Sequence, residues 1–461
     1  MTTLRLTQLA GIRGIDFAES VEDAATRVRS PQMFTLFFLL VLFTPHFLLK
    51  LPWLGETVGD MLRTTDIAAA FCLFAYALVR TGSTSRISRQ EALLIVFLFG
   101  SLLASAAFYT YIFMNPGYVG RVGATELLYP LRHIFLFAPV LLALTLQTER
   151  QLLSRLGLAT FVLSALFIVA MTALYSGGGG WFEAKQSISQ SFGNVQTLYM
   201  KRMGGIVGET GAYGFHSMFV WYGLIFFAFL SRLTALGYLL LALTPVWLVF
   251  VFVPSQTRII IPACLVFLLA AMFNPVLMRR RTAILVVLAG VAVLAALIGL
   301  QGILTMQIPI GGVALMRLVD LFSGASSADS LTSGRLDHWI EILHLWLQNP
   351  FFGYSYRSMN FLLEYPTENF FVHGLSEYGL ILFSLFCLFL ARLWIGVGRT
   401  VRSRPELTRA GAVLQAIMIS AMVNWQVNDL NTYYQSFPML LAMIALFMNL
   451  RHRPAGKAWE G

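Results

Sequence analysis

Apolar positions in this chain run on in stretches of about 17 residues or more, broken by short polar segments. They show neither the strict alternation of strands nor the one-sided stripe of a helix resting on a soluble core. Wound as a helix, such a stretch crosses a hydrocarbon layer about 30 Å thick and satisfies its own backbone hydrogen bonds there. Twelve spans are expected, at 33–50, 65–80, 91–114, 128–147, 153–175, 212–230, 234–253, 258–276, 283–300, 371–395, 410–428 and 433–450. The fold class that follows is an all-α polytopic membrane protein of about twelve transmembrane helices.

The polar breaks set its sidedness. Arg5, Arg13, Arg27 and Arg29 precede the first span, Arg80, Arg86 and Arg89 follow the second, and Arg150 and Arg155 follow the fourth. Arg232, Arg279 to Arg281, the group Arg399, Arg402, Arg404 and Arg409, and finally Arg451, Arg453 and Lys457 continue the alternation. Basic residues mark cytoplasmic loops, so both termini are expected inside. The segments are then a cytoplasmic piece over 1–32, helices one to nine within 33–300, a large outer loop over 301–370, helices ten to twelve within 371–450 and a cytoplasmic tail over 451–461. A composition 57% hydrophobic and 12% charged agrees with a bilayer setting, and the net charge of +10 is mostly this topological signal. No basic run is interleaved with a soluble aromatic domain, so nucleic acid is not an expected partner.

Residues 1–32 contain Asp16, Glu19, Glu22 and Asp23 and lack a short apolar core, which argues against a removable signal peptide. Cys72, Cys264 and Cys387 each fall in a span and read as buried thiols, not as a disulfide set.

Two outer loops are long. The first, 176–211, opens with SGGGG and carries Lys185, Lys201, Arg202 and Glu209. In the second, Ser333 is a plausible N-cap for a helix over 334–348 that Asn349 and Pro350 stop. Leu336, Trp339, Ile340, Leu343, Trp346 and Leu347 make its apolar stripe. The helix is too short to span, so it is expected to lie along the interface with its tryptophans at headgroup level.

The spans look polar mainly at their outer ends, where several cations sit. Arg132 lies at the outer end of span four, Arg202 before span six, Arg258 at the start of span eight, and Arg317, Arg335 and Arg357 in the large loop. A guanidinium beside hydrocarbon needs a partner, and several of them suit a phosphate anion, to which arginine offers bidentate donors. Each also has a plainer reading as a snorkelling anchor or half of an ion pair, Arg132 with Glu126 and Arg202 with Glu209. His46 and Asp66 are intramembrane ionisable groups near outer ends. His338, Glu341 and His344 share a helix surface but match no zinc signature, and no metal or other cofactor is expected. No phosphate loop follows a strand and no nucleophile elbow occurs, so the energy for any reaction has to arrive in the substrate.

An outer S-x-x-R ending at Arg258, a large loop reading R-x-x-x-W from Arg335 to Trp339, then NPFFGYS over 349–355 and ENFFVHGLSEYGL over 368–380, resembles the bacterial O-antigen polymerase and O-antigen ligase superfamily. The likeness is loose over spans six to twelve and strong over 335–382. In the ligases the loop ends in His followed by Asn, Ser or Gln, nine residues and Gly. Here Asn369, nine residues and Gly379 keep the spacing, while Glu368 stands at the His position. Glutamate there resembles the polymerases of capsule and exopolysaccharide more than the ligases.

The resemblance implies an architecture similar to the GT-C class of membrane glycosyltransferases in the bacterial inner membrane, with periplasmic outer loops that include interfacial helices. It implies a metal-independent, inverting glycosyl transfer between undecaprenyl-diphosphate-linked oligosaccharides, one the donor and one the acceptor. Glu368 would take the acceptor proton, with His373 a second candidate for that base. Arg202, Arg258, Arg132 and Arg335 would bind the diphosphate, Arg258 among the catalytic groups. Trp339, Tyr354, Tyr356 and Glu377 would make the glycan site, the aromatic rings stacking on sugars and Glu377 orienting partners or pairing with an arginine. Membrane lipid and a chain-length regulator are the further partners implied. Two alternatives stay open: a ligase moving glycan to lipid A core or protein, and a transporter or flippase of a lipid-linked or anionic solute, which would place charge near the bilayer midplane.

Overall fold

The computed structural model describes residues 64–81, 87–115, 124–176, 210–255, 259–277, 335–356, 358–363, 369–424 and 437–450, with Thr35, Phe37 and Phe38. Among the described residues there is no strand. The helices are α1 (Thr64–Thr81), α2 (Arg89–Met114), α3 (Ala124–Thr145), α4 (Arg150–Ser176), α5 (Thr210–Leu230), α6 (Thr234–Ser255) and α7 (Ile260–Met272). They continue with α8 (Arg335–Trp346), α9 (Ser358–Leu362), α10 (Phe370–Ser403), α11 (Thr408–Asn424) and α12 (Phe437–Met448), a 3-10 turn at Pro405–Leu407 joining α10 to α11. Among the described residues six segments are long and apolar enough to cross a membrane, and α7, α12 and the stretch Pro130–Thr145 are shorter apolar helices. The spans expected at 33–50 and 283–300 lie outside the described residues, apart from helical Thr35, Phe37 and Phe38.

The burial pattern is that of a polytopic membrane protein. On α1 the small side chains Ala68, Ala69, Cys72 and Ala75 are buried, and Phe71, Phe74 and Leu78 point outward, Phe74 63% exposed. Water would oppose that arrangement. Hydrocarbon permits it, because helices there associate through close contact of small residues while large ones meet lipid equally well. The partner of that small face is α3. At the centre, every residue of Tyr213–Leu230 is buried, with α4, α6, α7 and α11 around it. Gly157 and Gly223 make room for this packing: a Cβ at Gly157 would enter the Phe227 ring and one at Gly223 the Phe161 ring.

Polar residues close helix ends. Ser88 and Glu91 form a capping box at the start of α2. Glu91, itself buried, also accepts from Tyr76 Oη at 2.7 Å and Arg80 Nε at 2.6 Å, so one carboxylate fastens α1 to α2. Arg150 donates to the last carbonyl of α5, Leu230, from Nε at 2.9 Å and Nη2 at 2.8 Å. Asn449 donates to Ala143 and Leu144 of α3, and Arg404 to Leu450 at 2.6 Å. Cations and amides at carbonyl ends satisfy orphan acceptors and meet the negative pole of the helix dipole. Two arginines that read as topological signal are thus also helix caps.

Helix α8 has three faces. Ile342 is fully buried and packs with Met359 and Val372, with Trp339 and Leu345 beside it. Leu336, Ile340 and Leu347 are exposed, and Asp337, Glu341 and His344 occupy a separate exposed face. Both tryptophans are half-buried: Trp339 packs against the Ile342 cluster, and Trp346 Nε1 donates to Pro350 O at 3.0 Å. The outward stripe is left to leucine and isoleucine.

Candidate functional site

Asn349 and Pro350 end α8, and the chain then turns through 349–356 instead of leaving for solvent. Asn349 Nδ2 donates to Gly353 O, and Gly353 N returns a bond to Asn349 O at 3.1 Å. This turn lies against a break in α10. Gly379 has φ 66° and ψ 175°, so the helix stops for one residue between Tyr378 and Leu380. An interrupted helix leaves carbonyls and amides without partners, at high cost away from water. The turn supplies them: Tyr354 N donates to Ser376 O at 3.0 Å, Ser355 N to Glu377 O at 2.8 Å, Leu380 N to Pro350 O at 2.8 Å and Ile381 N to Phe351 O at 3.1 Å.

Gly353, also at positive φ, faces Gly379 so closely that a Cβ on either would strike backbone of the other segment. Ser355 adopts φ 110°. A serine in that region is strained, and its Oγ donates to Ser105 Oγ on α2 at 2.7 Å.

Behind the break lies a sealed polar cluster. His133 of α3 is 1% exposed and uses both ring nitrogens, Nδ1 with Ser101 Oγ at 3.1 Å and Nε2 with Tyr378 Oη at 2.9 Å. Both partners are hydroxyls, which donate or accept as the tautomer of the ring requires. The Tyr356 ring stacks on it at 4.5 Å and Phe97 and Phe137 meet it edge-on. Ser105 continues the cluster along α2, donating to Ser101 O at 2.8 Å.

On the short helical piece before the break, His373 Nε2 stands 3.2 Å from Glu377 Oε2, and both side chains are almost wholly buried. Tyr356 and Tyr378 present their rings to His373 at 6.0 Å and 5.4 Å. Asn369 begins this piece, its Oδ1 accepting from Phe371 N at 2.8 Å and Val372 N at 3.1 Å.

The structure therefore brings His373, Glu377 and Tyr356 together around His133 and Tyr378. Tyr354 is nearby, its phenol donating to Leu345 O at 3.0 Å. Burial, with Tyr111 adding, raises that phenol above its ordinary value, so it remains a donor at neutral pH. Arg132 is elsewhere: its Nη2 meets Asp66 Oδ2 of α1 at 3.4 Å, and the side chain of Glu126 lies outside the described residues. Trp339 belongs to the packing under α8. Arg335 is the first residue of α8. Glu368, Arg258, Arg202 and Arg357 lie outside the described residues. Among the described residues no three His, Cys, Asp or Glu side chains are grouped to hold a metal.

Polar groups also sit away from helix ends, against expectation. Ser101 is midway along α2, where His133 meets it and in turn meets Tyr378. A Ser-x-x-x-Ser pair in an apolar run, aligned on one helix face, was the available sign. Chemically the arrangement offers a buried acid–base pair on a half-helix whose position is fixed by backbone pairing. No protein-family model matches the chain, and no curated protein matches it.

Proposed function

We propose that this protein polymerises undecaprenyl-diphosphate-linked oligosaccharide repeat units into O-antigen, capsule or exopolysaccharide. In this reading twelve helices span the bacterial inner membrane, both termini are cytoplasmic, and the turn over 349–356 faces the periplasm. The observation that carries the reading is the stitching of two stretches: NPFFGYS and ENFFVHGLSEYGL, which bear the family resemblance, are hydrogen-bonded to one another at the break of α10. Residues with a shared task have reason to be held in one rigid unit.

In the transfer, the anomeric C–O bond to the donor diphosphate breaks and its electron pair leaves with the phosphate. A hydroxyl of the acceptor sugar forms the new C–O bond and gives up its proton. Glu368 adjoins the N-cap of α10 in sequence and is assigned that proton, with His373 and Glu377 one and two turns beyond as the alternative base and its partner. Arg258 and Arg202 are assigned the charge that develops on the diphosphate. Arg132 brings Asp66 with it, and a carboxylate there weakens its claim on an anion. Tyr356 holds His133, which leaves sugar stacking to Tyr354 and Trp339.

A transporter or flippase is favoured by one observation, the broken helix with polar groups midway along neighbouring spans. Turnover separates the two. Purified protein in lipid nanodiscs, given a lipid-linked repeat unit and no gradient, is expected to build a glycan ladder. Arg258→Ala and Glu368→Gln are each expected to slow it by about 10²–10³-fold. A single addition to a core acceptor indicates a ligase, and no glycosidic bond formation at all by folded wild-type protein rules the reading out.

A further inference from the structure

A helix fixes where the Cβ of a histidine sits and leaves the ring free to turn about a broad terminal torsion. The His373 ring nevertheless stands with Nε2 3.2 Å from Glu377 Oε2, so its neighbours set its plane. Two tyrosine rings do so. Tyr356, from the turn after α8, meets the His373 ring at 82° with centroids 6.0 Å apart. Tyr378, from α10 itself, meets it at 81° and 5.4 Å.

The same two rings lie nearly parallel to the imidazole of His133, Tyr356 at 23° and 4.5 Å and Tyr378 at 25° and 5.3 Å. Tyr378 Oη also bonds to His133 Nε2 at 2.9 Å. The plane of His133 is thus carried through two rings to the plane of His373. His133 is in turn held from α2, where Ser101 Oγ meets its Nδ1 at 3.1 Å and Phe97, one turn earlier, crosses it at 77°. One turn later along α2, Ser105 Oγ accepts from Ser355 Oγ at 2.7 Å and fixes the residue just before Tyr356. Both ends of this relay are therefore anchored on a helix that supplies no group to the proposed reaction.

We infer that His133, held by Ser101, is a positioning residue for the proposed glycosyl transfer: it orients the His373–Glu377 pair through the rings of Tyr356 and Tyr378. The consequence for turnover rests on that proposed reaction, in which the pair is the alternative base and its partner. His133 and Ser101 are almost wholly buried, so neither touches an acceptor sugar and their effect has to pass through the tyrosines. A proton acceptor turned away from its line of approach slows the chemical step and leaves substrate binding as it was.

The test uses full-length protein in nanodiscs with isotope-labelled histidine. The His373 ring signals are identified by their loss in His373→Gln. His133→Gln removes the flat ring with which both tyrosines align. Ser101→Ala removes the hydroxyl at Nδ1 with almost no change of volume, and so gives a folded variant even if the first does not fold. In each, the His373 ring nitrogen signals are expected to move by more than a linewidth. With a lipid-linked repeat unit, kcat is expected to fall about tenfold while KM changes by no more than about twofold. Ser164→Ala, a buried serine of α4, is expected to change neither. Folded variants that keep the wild-type His373 signals would overturn the inference, as would a rise in KM with kcat unchanged or a lowered melting temperature with kcat intact. Signals that move in these variants, in a protein whose wild type forms no glycosidic bond, keep the relay and remove the proposed reaction.

Discussion

His133 shows how much one buried side chain can organise. It joins α3 to α2 through Ser101 and to α10 through Tyr378, and serves as the stacking surface for Tyr356. Replacing it by alanine opens a cavity and strips a hydrogen bond from two buried hydroxyls, a loss of about 2–4 kcal/mol. Thermal unfolding in detergent is expected to show His133→Ala well below wild type, with Tyr378→Phe between them. A His133→Ala protein that melts with wild type would mean that the cluster does not hold these helices. Gly379→Ala acts on the backbone instead. It forces a side chain into φ 66° and against the Gly353 turn, and the expected destabilisation is about 1–3 kcal/mol in the same assay. His373 and Glu377 stood out only through the resemblance carried by ENFFVHGLSEYGL. His133 was hidden. It follows Arg132 within an apolar run, and its partners lie 32 and 245 residues away, a distance no local pattern bridges.

At the level of elements, apolar run length places helices well because a spanning segment has little choice but to be helical. The described helices α1 to α7 and α10 to α12 fall on expected spans. The stop at Asn349–Pro350 was also readable, since proline lacks the donor a helix needs. The break in α10 was not. Gly379 stands in a run that reads as continuous helix, and its meaning comes from the partner turn at 349–355, whose amides take over the lost pairing. Close approach of α4 and α5 was likewise unreadable, for it depends on glycine meeting phenylalanine from the other helix. Gly223→Leu pushes against the buried Phe161 ring, and about 1–3 kcal/mol of stability is expected to be lost on thermal unfolding. An unchanged melting point would show that α4 and α5 repack at no cost.

For the whole molecule, small residues inside and large ones outside make α1 stable only where hydrocarbon surrounds it. A spin label at Phe74→Cys in nanodiscs is expected to be reached readily by dissolved oxygen and poorly by a water-soluble nickel chelate, with a label at Ala69→Cys reached by neither. The reverse accessibility would place α1 away from lipid. The function proposed for this architecture depends on one joint, where the turn over 349–356 and the half-helix over 370–378 are held together with His373 and Glu377 inside.

The rate of glycan extension on a lipid-linked repeat unit by Glu377→Gln, in protein shown to be folded by its melting curve, tests that joint most directly. The charge is lost and the shape is kept, so the expected result is a fall of about 10²-fold or more with the melting temperature little changed. A folded Glu377→Gln protein that extends glycan at the wild-type rate would contradict the assignment of the broken helix as the site of chemistry.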